Sequence, residues 1–197
     1  MEELFLVRHA ETDWNAERRL QGHADRPLSA RGREQASMLR AYLQGKPFDA
    51  IFTSDLRRTR DTAALAGFER GRARAFWREF DVGHWSGRLI DDIVAQEGDA
   101  YSRWRSGNFA PPGGESWGTF EKRIRGGLSH LETLPGRVLL VTHSGVIRAI
   151  LKILLGWPPE KLAAVGYGSV TVVVTKRSPK MISYDFRPGM VHEAVAD

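Results

Sequence analysis

Two apolar runs, Leu4-Phe5-Leu6-Val7 and Val138-Leu139-Leu140-Val141, restrict what this 197-residue chain can fold into more than any other feature. Each has strand length and carries no polar residue on either face, which suits a strand covered on both sides. Such strands belong in a mostly parallel sheet with helices in front and behind. Each run also ends on a histidine: Arg8-His9 follows the first and Thr142-His143 the second. Ligands of these sheets collect beyond the carboxyl ends of the strands, so both histidines are candidates for one crevice.

The intervening sequence supplies the covering helices. Ser29 is placed to cap a helix over Ala30–Gln44, with Ala36, Leu39 and Leu43 at helical spacing and Gly45 and Pro47 behind it. A short strand is expected at Ala50–Thr53, with Ser54 capping a helix that carries Arg57, Arg58 and Arg60. A third strand is expected over Arg74–Phe80, then a turn at Gly83–Gly87. Leu89–Arg105 reads as helix broken near Gly98, and Asn108–Gly114 as loop. A helix over Ser116–Leu134 is weakened by Gly126-Gly127. Ser144–Leu155 is a helix apolar nearly all round, with Arg148 and Lys152 as its polar stripe, and Val170–Val174 and Met181–Tyr184 are closing strands before a tail of about a dozen residues. The fold class expected is α/β, a three-layer sandwich with a mostly parallel central sheet flanked by helices. It forms one domain over residues 1–197, with a cap region at roughly 80–117.

Absence of cysteine excludes disulfides, thiol catalysis and zinc sites built on thiolate. Net charge is +5 and arginine-rich, which favours anionic partners, but the arginines are scattered and form no nucleic-acid-binding tract. No apolar run approaches the roughly 20 residues of a membrane span. Met1-Glu2-Glu3 leads straight into a strand, so no signal peptide is expected, and a cytoplasmic location is.

The ends of three strands would bring His9, His143, Arg8 and Arg58 together, beside the positive end of the helix that begins at Ser144. That combination suits a phosphate dianion. A histidine at its centre suggests covalent phosphoryl transfer: the imidazole must be neutral to attack phosphorus, and flanking arginines favour that form. An acid is still needed for the leaving oxygen, and Glu79 is the candidate.

These residues fall in a longer pattern. Arg8-His9-Ala10-Glu11-Thr12-x-x-Asn15, Gln21-Gly22, Asp25-x-Pro27-Leu28-Ser29-x-x-Gly32, Ser54-Asp55-Leu56-x-Arg58-x-x-x-Thr62-Ala63, Glu79-x-x-x-Gly83-x-Trp85-x-Gly87, Pro112-Gly113-Gly114-Glu115-Ser116 and Val141-Thr142-His143-Ser144-Gly145-Val146-Ile147-Arg148 follow one another along most of the chain. In that order they strongly resemble the histidine phosphatase superfamily, which includes the cofactor-dependent phosphoglycerate mutases. The resemblance implies a phosphoglycerate mutase-like fold with His9 as the phosphorylated residue and Arg8 as its phosphate-holding neighbour. It selects Arg58 over Arg57 and Arg60, makes His143 the second histidine at the phosphate, and makes Glu79 the proton donor. It places Asn15, Gln21, Gly22 and Ser144 where relatives contact substrate or phosphate. It implies no metal and no cofactor, and although Glu11 and Asp13 flank His9, no histidine spacing supports a metal there.

Two departures stand out. Ala10 replaces the usual glycine, and its methyl is expected to tighten the pocket. Ser144 replaces another glycine, and its hydroxyl is expected to cap the helix. The reading is a metal-independent phosphomonoester hydrolase acting on a small phosphorylated metabolite through phosphohistidine. The alternatives are a phosphoglycerate mutase and a non-catalytic phosphate-ligand binder. Against the mutase, the chain is shorter than the mutases, mainly between Glu79 and Pro111, and has no evident counterpart of the extra basic residues that would retain their doubly phosphorylated intermediate. No nucleic-acid or membrane partner is expected; homodimers are common in the family. His23, His84, His130 and His192 receive no role, and Trp104, Phe109 and Trp117 are candidates for the substrate side of the pocket.

Overall fold

The computed structural model describes residues 1–176 and 178–189, so most of the expected tail, His192 included, lies outside the described residues. The two apolar runs form β1 (Glu3–Arg8) and β4 (Arg137–Thr142), paired in parallel with Leu4 opposite Val138 and Arg8 opposite Thr142. Beyond β4 lie β2 (Ala50–Ser54) and the short β3 (Arg72–Arg74), both parallel to it. On the other side, β5 (Val170–Val174) runs antiparallel to β1, and β6 (Lys180–Phe186) antiparallel to β5. The order is β3-β2-β4-β1-β5-β6, the mostly parallel sheet expected from the sequence.

Uninterrupted hydrophobicity in β1 and β4 is needed because both faces are covered. Side chains alternate between faces: Leu4, Leu6, Val138 and Leu140 enter one core, while Phe5, Val7, Leu139 and Val141 enter the other. The first core is closed by α6 (Trp117–Glu132), through Phe120 and Ile124, and by α7 (Ser144–Leu155), through Val146 and Ile150. The second is closed by Leu39 and Leu43 of α2 (Ala30–Leu43) and Ala63 of α3 (Arg57–Leu65). With α1 (Asp13–Ala16), α4 (Ile90–Glu97) and α5 (Ala100–Arg105), seven α-helices occur among the described residues. Ser29 caps α2 by accepting from the Gly32 N–H, and Gly98, at φ 58°, makes the break between α4 and α5.

Three local expectations change. Ser54 does not cap α3: the N-cap is Leu56, and the Ser54 hydroxyl instead accepts from the Leu56 N–H to shape the turn before it. The strand expected over Arg74–Phe80 ends at Arg74, and Ala75–Trp77 wind into a 3-10 turn. An extended strand would put Trp77 and Glu79 on one face. The turn separates them, sending Trp77 into the core and leaving Arg78 to pair with Asp55 at 2.7 Å. Arg148, expected on the polar stripe of its helix, is buried on α7.

The paired glycines of α6 play different parts. A Cβ on Gly127 would lie 2.8 Å from the rings of Phe76 and Trp77, whereas one on Gly126 would meet nothing within 4 Å. Gly126→Ala should therefore stabilise by about 0.5–1 kcal/mol, the helix-propensity gain. Gly127→Ala should destabilise by about 1–3 kcal/mol, because overpacking against a buried indole outweighs that gain. Urea unfolding midpoints should move in opposite directions; a shared direction would rule out this packing account.

Candidate active site

The carboxyl ends of β1, β2 and β4 open on a cavity of about 360 Å³. Its wall includes Arg8, His9, Asn15, Gln21, Gly22, Arg58, Glu79 and Ser144, eight of the nine residues singled out from the sequence. The ninth, His143, is not on the wall. It stands fully buried behind His9, the two rings edge to face with centroids 5.2 Å apart.

Backbone pairing fixes His9, whose N–H donates to Thr142 O at 2.8 Å. Its Nδ1 lies 2.8 Å from Ala10 O. Only a protonated Nδ1 can use that carbonyl, which leaves the lone pair on Nε2. Burial holds the His9 pKa well below the ordinary histidine value, and the cations of Arg58 and Arg8 push it further the same way. The imidazole is thus neutral at pH 7. His143 is lowered well below its ordinary value too, first by burial and then by Arg58, and neither of its ring nitrogens has a hydrogen-bond partner among the described residues.

The two arginines are anchored by neutral acceptors. Arg58 donates from Nη1 to Ala24 O at 2.7 Å and from Nη2 to Gly22 O at 2.8 Å. Burial brings its pKa down to about 10. Arg8 donates to Val165 O and lies over the ring of Tyr167, 3.9 Å from its centroid. The Nε atoms of both arginines and Ser144 Oγ are buried without partners and are donors suited to anionic oxygens, while the unpartnered Gln21 Oε1 can only accept, as from a substrate hydroxyl.

Glu79 faces the same cavity from the other side. Its Oε1 accepts from the Phe80 N–H at 2.9 Å and its Oε2 from the Gly145 N–H at 3.1 Å, so the carboxylate sits on the first turn of α7. Arg123 holds this segment by donating to Phe76 O, Arg78 O and Glu79 O, and His23 Nε2 lies 2.9 Å from Glu79 O. Arg123 is in turn paired with Glu115 at 2.5 Å.

Two substitution sites differ from expectation. The Ala10 methyl does not reach the pocket; it is buried with Leu28 and Ala36, and its N–H donates to Thr62 Oγ1 at 3.0 Å. Ser144 does not cap α7: the N-cap is His143, and the Ser144 hydroxyl lines the cavity instead. Asn15 contributes to the wall although its Oδ1 is engaged by Thr12, whose N–H lies at 3.2 Å in the capping box of α1. Glu11 accepts from Ser29 Oγ and Asp13 pairs with Arg26, and among the described residues no three His, Cys, Asp or Glu side chains gather as metal ligands.

Comparison with known proteins fits this geometry. The sequence profile of the histidine phosphatase superfamily (branch 1) matches residues 4–183. The chain belongs to that superfamily. A probable phosphoglycerate mutase GpmB of Salmonella choleraesuis (strain SC-B67) is 35% identical over 169 residues, covering 80% of this chain and 77% of that protein. The structure of a mycobacterial glucosyl-3-phosphoglycerate phosphatase complexed with VO3 has a TM-score of 0.87 at 30% identity, covering 94% of this chain and 100% of the other. The α-ribazole phosphatase of Shigella flexneri gives 0.83 at 28% identity, with 96% and 99% covered. This member of the superfamily therefore shares its α/β fold with phosphatases.

Several wall residues carried no signal in the sequence. Tyr167 comes from a loop, and Arg105 and Tyr101 come from α5. Arg148 had one: it stands four residues after Ser144, on the same face of α7. Trp104 and Trp117 do line the cavity, but Phe109 does not; it stacks on Trp85 at 5.6 Å.

The two depressed histidines link stability to pH. The unfolded chain takes up protons as pH falls through about 6.5, while the folded chain does not, so stability present above that value is lost toward acid. The fall in urea midpoint from pH 7.5 to 5 should be shallower in the double variant His9→Gln, His143→Gln, by up to about two protons' worth of slope. Equal slopes would mean that the imidazoles are not held neutral.

Proposed function

We propose that the protein is a metal-independent phosphomonoesterase acting on a small phosphorylated metabolite through a phosphohistidine at His9. The observation that carries this reading is the His9 tautomer: Nδ1 is committed to Ala10 O, so Nε2 is the free nucleophile between two arginines. In the first step Nε2 attacks phosphorus, the ester P–O bond breaks, and Glu79 in its protonated form gives the leaving oxygen its proton. Arg8 and Arg58 hold the phosphoryl oxygens, whose charge they stabilise through the in-line displacement. In the second step water attacks the phosphohistidine, Glu79 takes the proton, and inorganic phosphate leaves with His9 restored. His143 would supply an N–H beside the nucleophile. Asn15, Gln21, Gly22 and Ser144 would surround the phosphate and the first atoms of the substrate, under a cap formed by residues 80–117.

A phosphoglycerate mutase is the second reading, and one observation favours it. The segment from Glu79 to Pro111 shows no evident counterpart of the mutases' extra basic residues in sequence, yet Arg105 of that segment lines the cavity. The related proteins named above include a probable phosphoglycerate mutase as well as phosphatases for glucosyl-3-phosphoglycerate and α-ribazole phosphate, so phosphorylated hydroxy acids and nucleoside-like esters head a substrate screen.

Rapid mixing with a chromogenic phosphate ester should leave acid-labile phosphate on His9, and His9→Ala should lose at least about a thousandfold in kcat. Glu79→Gln should slow esters with poor leaving groups most, since they depend most on the proton. Isomerisation of 3-phosphoglycerate in the presence of bisphosphoglycerate, faster than phosphate release, would replace the hydrolase reading with the mutase. Binding of phosphate esters with no turnover and no phosphohistidine would leave a non-catalytic binder.

A further inference from the structure

A general acid has to stand within hydrogen-bond reach of the oxygen it protonates, so Glu79 must be held at a set distance from the phosphate-binding arginines. The contacts that bear on this distance meet at His23, a histidine that matches no motif residue. Residues 21–24 form a tight turn in which the Ala24 N–H donates to Gln21 O at 2.9 Å. Gly22, at φ 51°, lets the turn lie against the acid's segment: a Cβ there would fall 2.7 Å from Val82 Cγ2 and 3.3 Å from Phe80 O. The carbonyls that anchor Arg58 belong to Gly22 and Ala24, the residues on either side of His23.

From this turn the His23 side chain reaches the acid's segment. Its Nε2 lies 2.9 Å from Glu79 O, and because a carbonyl only accepts, Nε2 carries the hydrogen. Across the ring, Nδ1 faces Asp81 Oδ2 at 3.6 Å. Asp81 is itself fixed. Its Oδ1 accepts from the Gly83 N–H at 3.0 Å, its N–H donates to Glu115 Oε1 at 2.9 Å, and its carbonyl accepts from the Glu115 N–H at 3.0 Å. The imidazole thus spans the chain on both sides of Phe80. Arg123 donates to the same Glu79 carbonyl at 2.7 Å, but from α6, which bears neither Arg58 nor its anchors. The His23 side chain is 32% exposed and stands outside the hydrophobic cores, so replacing it removes the tie without emptying a core site.

We propose that His23 is a positioning residue for the general acid, tying the Glu79 backbone to the turn that anchors Arg58 and so fixing the carboxyl at its working distance from the phosphate. This assignment rests on the phosphatase reading for the role of Glu79 and adds the contact that sets its place. His23 does not line the cavity and touches no reacting atom; it acts through the Glu79 carbonyl.

Two variants of the full chain test it. His23→Gln keeps an N–H within reach of Glu79 O, whereas His23→Leu removes it. With phenyl phosphate, whose leaving group needs the proton, His23→Leu should lower kcat by about tenfold or more, the scale of a misplaced catalytic group. With p-nitrophenyl phosphate, whose leaving group departs with little help, the loss should stay under about threefold. Inhibition by inorganic phosphate should be unchanged, since Arg8 and Arg58 keep their anchors. His23→Gln should recover most of the phenyl phosphate rate. Added to Glu79→Gln, His23→Leu should cost nothing further on that ester, because the acid it positions is already gone. Equal losses on both esters, no loss at all, or a further loss on top of Glu79→Gln would overturn the assignment. The Gly145 amide, which donates to Glu79 Oε2, gives a readout without turnover. Its NMR resonance should move in His23→Leu and stay near wild type in His23→Gln, with the β4 amides unmoved in both. A Gly145 resonance that does not respond to His23→Leu, or one that moves only together with the β4 amides, would also overturn the assignment. Absence of phosphate release from both esters by the unmodified chain would overturn the phosphatase reading instead, and the Gly145 resonance would still decide the tie.

Discussion

The register of β1 against β4 is the constraint on which the site depends. Parallel pairing with Arg8 opposite Thr142 brings both strands to an end at the same level, so that His9 and His143 emerge together. A slip of one residue would exchange the two cores, moving Phe5 and Val7 to the face that Leu4 and Leu6 occupy. Because each face has its own covering helices, such a slip would misplace Leu4, Phe5, Leu6 and Val7 and disturb both cores at once. The same hydrophobic pattern that drives folding therefore fixes the separation of the two imidazoles.

Around that pair the chain solves a problem of charge. Guanidinium groups can be held inside a protein by carboxylates, but the pairing then neutralises them. Arg8 and Arg58 are held by carbonyl oxygens of Val165, Ala24 and Gly22, and by the face of Tyr167. These acceptors orient the forks while leaving the net charge available to an anionic ligand. Burial then acts in the same sense on the histidines, since a desolvated imidazole beside two cations stays neutral.

Much of this was legible in the sequence because it is periodic or local. Strand ends, the Ser29 cap and the Gly98 break are written in a few consecutive residues. Glu79 was found, but its setting was not: the Arg74–Phe80 segment alternates like a strand, and only packing of Trp77 against Gly127 reveals the turn. Ala10 was misassigned to the pocket because adjacency to His9 in sequence says nothing about the direction of a side chain. Its methyl belongs to the contact with Leu28 and Ala36. Arg148 falls on the polar stripe of α7 in sequence, and only the folded chain shows that stripe meeting the Arg105 carbonyl at the end of α5. Arg105, Arg123 and Tyr167 owe their places to long-range contacts that no single segment encodes.

Gly145 carries one more consequence. Its backbone is helical, so conformational freedom does not explain a glycine there; yet a Cβ would fall 2.2 Å from Glu79 Oε1. The obstacle is the tip of a flexible side chain, so a methyl at this position would evict the carboxylate and leave the helix standing. Residue 145 thus works as a stencil for the acid, a blank left in α7 whose outline is the Glu79 carboxylate.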